Sequence, residues 1–410
     1  MGRNGATPVI RRSSLAILGG SRIREKPYPS WPRSYHIVED VLFALWKSLL
    51  RPRTKAPKEA DLVSRFEYAF AELHDGGTAT AFRSGREAVR SAVLLLGLSS
   101  GDEVILPAYA DPSVAAVVLE TGAVPVFADI DPATLTLDPF CAELNVTRRT
   151  RAIVAFHFAG QPADMDRLMA VADRHGLSVL EDARHAPLAR CGPHSVGTFG
   201  TVACFSFEAS RNIAIGQGGL VFRHTAGVPE ASTEAANALR FHPDKAPVLN
   251  HAARMTDEQA LLGLAQLDRA ELLAAVRERG ASILSSVLAE VEGLTPISRA
   301  AYTTRHAYNL FVARYNPDAF RGLDRRRFLM ALNAEGIPAQ PGWPCPVYQL
   351  PDFTEHHPKN GAKAAEAACR EAVWFPQNVL LANPDDIRDV ARAVEKIREQ
   401  ADALLSRTDL

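Results

Sequence analysis

The chain lacks most of the features that place a protein in a special class. Its 410 residues include only five cysteines, Cys141, Cys191, Cys204, Cys345 and Cys369, scattered and odd in number. No two of them form a C-x-x-C pair, so neither a zinc site nor a disulfide framework is indicated. Neither sign of charge is in excess: 46 Lys and Arg stand against 47 Asp and Glu, a net charge of -1. Global electrostatics therefore give no case for a nucleic-acid or other polyanion partner. No apolar run approaches the ~20 residues of a membrane span, and Met1-Gly2-Arg3-Asn4-Gly5 carries no signal core. Internal repeats and low-complexity tracts are missing as well. These absences leave a reduced, cytoplasmic protein, with no membrane or nucleic-acid partner, as the expectation. What is present agrees: 47% hydrophobic and 23% charged residues are the proportions of a soluble globular protein. A chain this long can bury a large core and form two domains.

Residues 1–35 are mostly polar, with prolines clustered near their end. Lys26-Pro27-Tyr28-Pro29-Ser30-Trp31-Pro32 reads as an extended arm, because proline fixes φ and removes a donor. Apolar positions recur at helical spacing over residues 38–50 and 61–73. Short apolar runs at 104–106, 125–128, 152–156 and 177–180 then alternate with helical stretches such as 164–175, which Gly176 closes as a C-cap glycine would. Such alternation argues for an α/β fold, a mostly parallel sheet with helices on both faces. Residues 202–207 and 219–222 read as a closing pair of strands. Past Met255 the texture changes. One long helical pattern covers 258–280, its apolar side supplied by Leu261, Leu262, Leu264, Leu267, Leu272 and Leu273. It leads into a smaller α+β domain with a strand at 308–314, a helix at 325–335 and a terminal helix at 385–405. The expected division is an arm over 1–35, a large domain over 36–257 and a small domain over 258–410.

Several local motifs occur in a telling order. Ile17-Leu18-Gly19-Gly20 precedes the proline arm, and Gly101-Asp102-Glu103-Val104-Ile105-Leu106-Pro107 leads into the first strand. Pro125-Val126-Phe127-Ala128-Asp129-Ile130-Asp131, His157-Phe158-Ala159-Gly160-Gln161 and Glu181-Asp182-Ala183 follow. Next comes Cys204-Phe205-Ser206-Phe207-Glu208-Ala209-Ser210-Arg211-Asn212 with Gly216-Gln217-Gly218-Gly219, then Arg254-Met255-Thr256, Ala265-Gln266-Leu267 and Glu371-Ala372-Val373-Trp374-Phe375-Pro376. Together they resemble the DegT/DnrJ/EryC1/StrS sugar aminotransferases, and the segment 371–376 is similar to the subgroup that acts on cyclitols and aminobenzoate-type rings. The resemblance implies an aspartate-aminotransferase-like fold (fold type I of the transferases dependent on pyridoxal phosphate, PLP), a homodimer, and a small-molecule substrate of sugar or secondary metabolism. It also implies a lysine where this chain has Arg211. An aldimine needs a neutral amine, which a guanidinium does not supply.

The same resemblance names the remaining site residues. Asp182 matches the aspartate that pairs with the pyridine nitrogen; a helix N-cap is its ordinary alternative. Glu181 reads as structural. Ser84-Gly85-Arg86-Glu87-Ala88 opens a helix whose first N–H groups hold a phosphate, with Arg86 replacing a threonine. Ser206 matches a phosphate-binding serine. Asp111 stands where an aromatic ring covers the pyridine, a role that a carboxylate does not fill. Tyr109 nearby is otherwise a core or surface tyrosine. His185 replaces a glutamine and is either an acid/base group or a buried, hydrogen-bonded histidine. The loop reaching the partner subunit has Ala252 for an asparagine, flanked by Asn250 and His251, and carries Lys245, whose ordinary reading is a solvent-exposed loop lysine. The candidates are thus His185 and Arg211 for catalysis, and Gly85, Arg86, Asp111, Asp182, Ser206 and Asn250 for the cofactor, with no metal. PLP or pyridoxamine phosphate is expected to bind without a covalent link, if at all. The leading expectation is a repurposed enzyme that does not run ordinary transamination. Its alternatives are a non-catalytic subunit paired with an active relative, and a PLP-independent enzyme using the same pocket.

Overall fold

A computed structural model describes residues 14–30, 60–224 and 253–407. The helix expected at 38–50, and the loop with Lys245, Asn250, His251 and Ala252, lie outside the described residues.

The first half alternates strands and helices. The strands are β1 (Thr78–Phe82), β2 (Glu103–Pro107), β3 (Val124–Ala128), β4 (Thr150–Phe156), β5 (Ser178–Asp182), the short β6 (Arg190–Cys191) and β7 (His194–Ser195), β8 (Val202–Ser206) and β9 (Gly219–Arg223). The helices are α1 (Leu62–Leu73), α2 (Gly85–Leu94), α3 (Ser113–Glu120), α4 (Pro139–Leu144) and α5 (Met165–His175). Seven strands form one sheet in the order β1-β9-β8-β5-β4-β2-β3. The inner pairings β2–β3, β2–β4, β4–β5 and β5–β8 are parallel, and β9 runs against both β8 and β1. Successive side chains of a strand point to opposite faces. Val104 and Leu106 accordingly join Ala88, Ala92 and Val118 in one core, while Ile105 faces Met165, Leu168 and Val171 of α5 in another. This two-sided burial explains why the central strands read as continuous apolar runs.

Helix ends follow the local sequence. Asp61 and Asp164 cap α1 and α5, accepting from Ser64 N and Arg167 N, and Gly176 closes α5 at φ 64°. The strand β1 is a departure from the sequence reading. Its Thr-Ala-Thr-Ala-Phe run has small residues at the buried positions Ala79 and Ala81, so periodicity does not reveal it.

The second half begins with α6 (Asp257–Ala289), opened by a capping box between Thr256 and Gln259. It runs nine residues past Gly280, the end expected from sequence. Gly280 does not terminate the helix; a Cβ there would collide with the Leu380 carbonyl, so the residue permits close approach rather than a stop. The strands β10 (Leu294–Pro296), β11 (Thr303–Arg305), β12 (Leu310–Tyr315), β13 (Gln340–Pro341) and β14 (Ala372–Pro376) follow, with helices α7 (Arg325–Ala334), α8 (Lys363–Glu371), α9 (Pro384–Glu399) and α10 (Ala401–Leu405). An antiparallel sheet has the order β10-β12-β14-β13, and β11 joins β6 and β7 in a small third sheet. The single terminal helix expected over 385–405 is broken at Gln400, whose backbone (φ -109°, ψ 21°) leaves the helical region.

The arm is bound to this C-terminal layer. Leu15 and Tyr28 are buried in its core beside Leu284, Val394 and Ile397. Glu335, wholly buried, accepts from Ala16 N at 2.8 Å, Ile23 N at 2.9 Å and Lys396 Nζ at 2.9 Å. Lys396 also donates to Ser21 O at 2.7 Å. Arg24 pairs with Asp386 at 2.7 Å and lies 4.2 Å from the Tyr28 ring centroid. Among the described residues no helix is long and apolar enough to cross a membrane.

Removing one partner of a buried ion pair strands the other. Glu335→Ala should therefore lower unfolding stability by about 3 to 5 kcal/mol and make the arm sensitive to protease. Urea denaturation with limited proteolysis checks this, and an unchanged midpoint with a protected arm would contradict it.

Candidate active site

The site gathers at the carboxyl ends of the parallel strands, where α/β sheets hold their ligands. Ser84 caps α2, accepting from Glu87 N at 3.3 Å, and leaves Gly85 as its first helical residue. Opposite lies Ser206, the last residue of β8. A Cβ on Gly85 would sit 2.6 Å from Ser206 Oγ, so only glycine lets the helix start approach this hydroxyl. Ser206 is 2% exposed, and its Oγ has no hydrogen-bond partner among the described residues. A buried hydroxyl without a partner beside a helix start suits an anion's oxygens. Arg86, the next residue of α2, is exposed, whereas Gly85 and Ser206 are buried.

Asp182 ends β5 and is 2% exposed. Arg184 grips it with a two-pronged hydrogen bond, Nε to Oδ1 at 2.8 Å and Nη2 to Oδ2 at 2.7 Å. The far side of the same guanidinium donates to Ser113 Oγ at 2.8 Å and reaches Asp111 Oδ1 at 3.4 Å. Asp111 in turn accepts from Ser113 N at 3.0 Å and from the Ser113 hydroxyl. Burial alone would depress the Arg184 pKa, but Asp182 and Asp111 outweigh it and hold the guanidinium above its ordinary value. Desolvation would raise the Asp111 carboxyl; the Arg184 charge and the Ser113 hydrogen bonds bring it below the usual carboxylate range. Sequence reasoning missed Arg184 and Ser113. The available signal was a charged side chain two residues past a strand-end aspartate, in a stretch otherwise fit for burial.

Arg211 lies on a loop pinned from several sides. Its own N–H donates to Glu208 O at 2.9 Å, and Ile215 N donates to Phe207 O at 2.9 Å. From the second half of the chain, Gln377 Nε2 donates to Ser210 O at 3.1 Å, and Arg277 Nη2 to Asn212 O at 3.3 Å. The Arg211 side chain is 12% exposed and lies 3.5 Å from the Glu208 carboxylate. Burial, then the neighbouring Arg184 charge, lowers its pKa. His185 is buried, receives Ala159 N–H on Nδ1 at 3.3 Å, and meets the Phe156 ring edge-on. Accepting at Nδ1 places the proton of the neutral ring on Nε2. Burial, with Arg211 and Arg184 nearby, pushes its pKa well below 6.5. Tyr109 is a core residue, packed edge-on against Phe158 and Trp343. Glu181 has a framework position, accepting from Gly197, Phe199 and Gly200 N–H groups and from His157. The structure thus brings together Asp111, Asp182, His185 and Arg211 around Arg184, with Gly85 and Ser206 forming the adjoining helix-end cradle. Among the described residues no cluster of three or more His, Cys, Asp or Glu could hold a metal ion.

Residues 54–395 match the DegT/DnrJ/EryC1/StrS aminotransferase family. The chain belongs to that family. It is 32% identical, over 94% of this chain and 97% of the relative, to the L-glutamine:scyllo-inosose aminotransferase of Streptomyces griseus. Identity is 30%, over 93% and 97%, to the L-glutamine:2-deoxy-scyllo-inosose aminotransferase of Streptoalloteichus tenebrarius. The crystal structure of 3-amino-5-hydroxybenzoic acid synthase superposes with a TM-score of 0.77 at 28% identity, covering 93% of this chain and 99% of that one. The fold is that of the type I PLP-dependent transferases, as the sequence resemblance implies.

The family implies PLP, and the two ends of this DegT/DnrJ/EryC1/StrS site answer differently. At the helix-end cradle, Gly85, the α2 N–H groups and the Ser206 hydroxyl fit a phosphate. At the ring end the residues do not fit: both Asp182 oxygens carry Arg184, Asp111 is bound to the same guanidinium, and position 211 offers no amine.

His185 makes stability depend on acid. The unfolded chain takes up a proton on this histidine from about pH 6.5 downward, whereas the folded chain resists it. Stability is therefore full above that pH and falls as pH drops towards the depressed folded value. His74, pushed down to about 4 by burial, and His306, to about 3, act in the same direction. His185→Gln should make the loss shallower by up to about 1.4 kcal/mol per pH unit below about pH 6.5. Urea titrations at several pH values measure the slope; identical slopes would show that His185 charges freely in the fold.

Proposed function

We propose that this chain is a repurposed family member that does not perform ordinary transamination and uses its pocket to hold an anionic sugar- or cyclitol-type metabolite. The observation that carries this reading is Arg211, a nearly buried guanidinium on a pinned loop at the lysine position. Its nitrogen lone pairs are delocalised, so it neither forms a carbonyl adduct nor acts as a base. It is suited to hold negative charge in place. Ser206 Oγ and the start of α2 supply neutral donors for the same anion. His185, kept neutral by burial and two guanidiniums, contributes a hydrogen-bonding ring rather than an imidazolium acid.

Cytoplasmic placement and assembly as a homodimer, or as a heterodimer with a lysine-bearing relative, belong to the same proposal. They rest on the family and on the sequence.

Purified protein incubated with PLP, L-glutamine and scyllo-inosose should transfer nitrogen at least about 10³-fold more slowly than a lysine-bearing relative, since a missing nucleophile costs that much or more. Product mass spectrometry reads the outcome. Turnover near the relative's rate, from protein free of contaminating enzyme, would overturn the proposal. Inorganic phosphate should bind in calorimetry, and Ser206→Ala should weaken it about tenfold, the value of one hydrogen bond to a charged group.

A further inference from the structure

We infer that Arg184 is a built-in occupant of the ring end of the pocket, a specificity-determining residue that closes the site to a cationic ring and leaves it open to compact anions. Asp182 is 2% exposed and Arg184 is 7% exposed, and their two-pronged contact engages both carboxylate oxygens. A cationic ring nitrogen would have to compete with a guanidinium of the same charge for the same two oxygens. The guanidinium is tethered two residues away along the chain, so it loses no translational freedom on binding, whereas a free ligand does.

The other side of Arg184 strengthens the closure. Ser113 Oγ and Asp111 Oδ1 hold Nη1, and Asp111 is itself fixed by the backbone and hydroxyl of Ser113 at the start of α3. Displacing Arg184 would break contacts to three side chains at once and leave two carboxylates without their cation. Leaving such groups unpaired is costly inside a protein. The helix-end cradle takes no part in this network: Ser206 Oγ, 2% exposed, has no partner among the described residues, and Gly85 lets the start of α2 approach it closely, with the Glu208 carboxylate at its edge. The ligand class that remains is a phosphomonoester or carboxylate bearing no cationic ring. This reading uses the anion site proposed above only as its reference.

The first measurement compares the wild-type affinities for inorganic phosphate and for PLP by calorimetry. With the ring end closed, the two should agree within about threefold, because the ring gains no partner. Arg184→Ala should raise PLP affinity relative to phosphate at least about tenfold by exposing Asp182. If that variant does not fold, Arg184→Ala combined with Asp111→Asn leaves one fewer unpaired carboxylate. Covalent capture gives a second readout: after borohydride reduction, a PLP mass adduct should appear with Arg184→Ala/Arg211→Lys and not with Arg211→Lys alone. An adduct with Arg211→Lys alone, or wild-type PLP binding far tighter than phosphate, would overturn the closure. The absence of any phosphate binding would sink the anion reading alone. The role of Arg184 would then be decided by whether Arg184→Ala gains PLP binding that the wild type lacks.

Discussion

A carboxylate buried at the end of a parallel strand has to be paired, and the pairing of Asp182 with Arg184 organises everything around it. The strand β5 is central in the sheet, so its last residue cannot turn to solvent. Arg184 discharges it locally, and the fixed guanidinium then sets the state of its neighbours. It holds Asp111 ionised, and it adds to the burial that keeps His185 neutral and lowers the Arg211 pKa. The ion pair thus adds to burial in setting the charges around it.

The same rule recurs elsewhere in the molecule. Glu181 is wholly buried one residue before Asp182 and is satisfied by three backbone N–H groups from residues 197–200 together with His157. Glu335, also wholly buried, takes donors from the arm and from α9. Each acid joins segments far apart in sequence, so each fixes a backbone position that apolar packing leaves adjustable. Glu181 sets the loop behind the sheet, Glu335 binds the arm, and Asp182 with Arg184 fills the pocket.

The pocket differs chemically at its two ends. At the helix end, Gly85 admits close approach and the Ser206 hydroxyl has no partner among the described residues. At the other end Arg184 joins Asp182, Asp111 and Ser113 in one hydrogen-bonded network. Arg211, on a loop held by Gln377 and Arg277 from the second half of the chain, lies near Arg184, Asp182 and Asp111 and pairs with Glu208. The proposed anion site would draw on these two guanidiniums, neither of which offers an amine for a covalent link.

Much of this was legible in the sequence because its causes are local. The buried strands announce themselves as apolar runs, Gly176 and Asp164 mark helix ends, and Arg211 stands in a recognisable segment. Features with long-range causes were not legible. Ala79 and Ala81 carry too little apolar surface to reveal β1, and Gly280 looks like a stop until Leu380 is seen against it. Arg184 is the sharpest case. Its neighbour Asp182 was readable as a site carboxylate, but Asp111 and Ser113 lie about seventy residues earlier and meet the guanidinium only where the β2 and β5 ends converge. Residue type and spacing along the chain were enough for the family and for the alternation of apolar strands with helices between residues 104 and 207. The meeting of Arg184 with Asp111 and Ser113 came from the folded chain alone, because an ion pair depends on distance in space, and spacing along the chain does not set that distance.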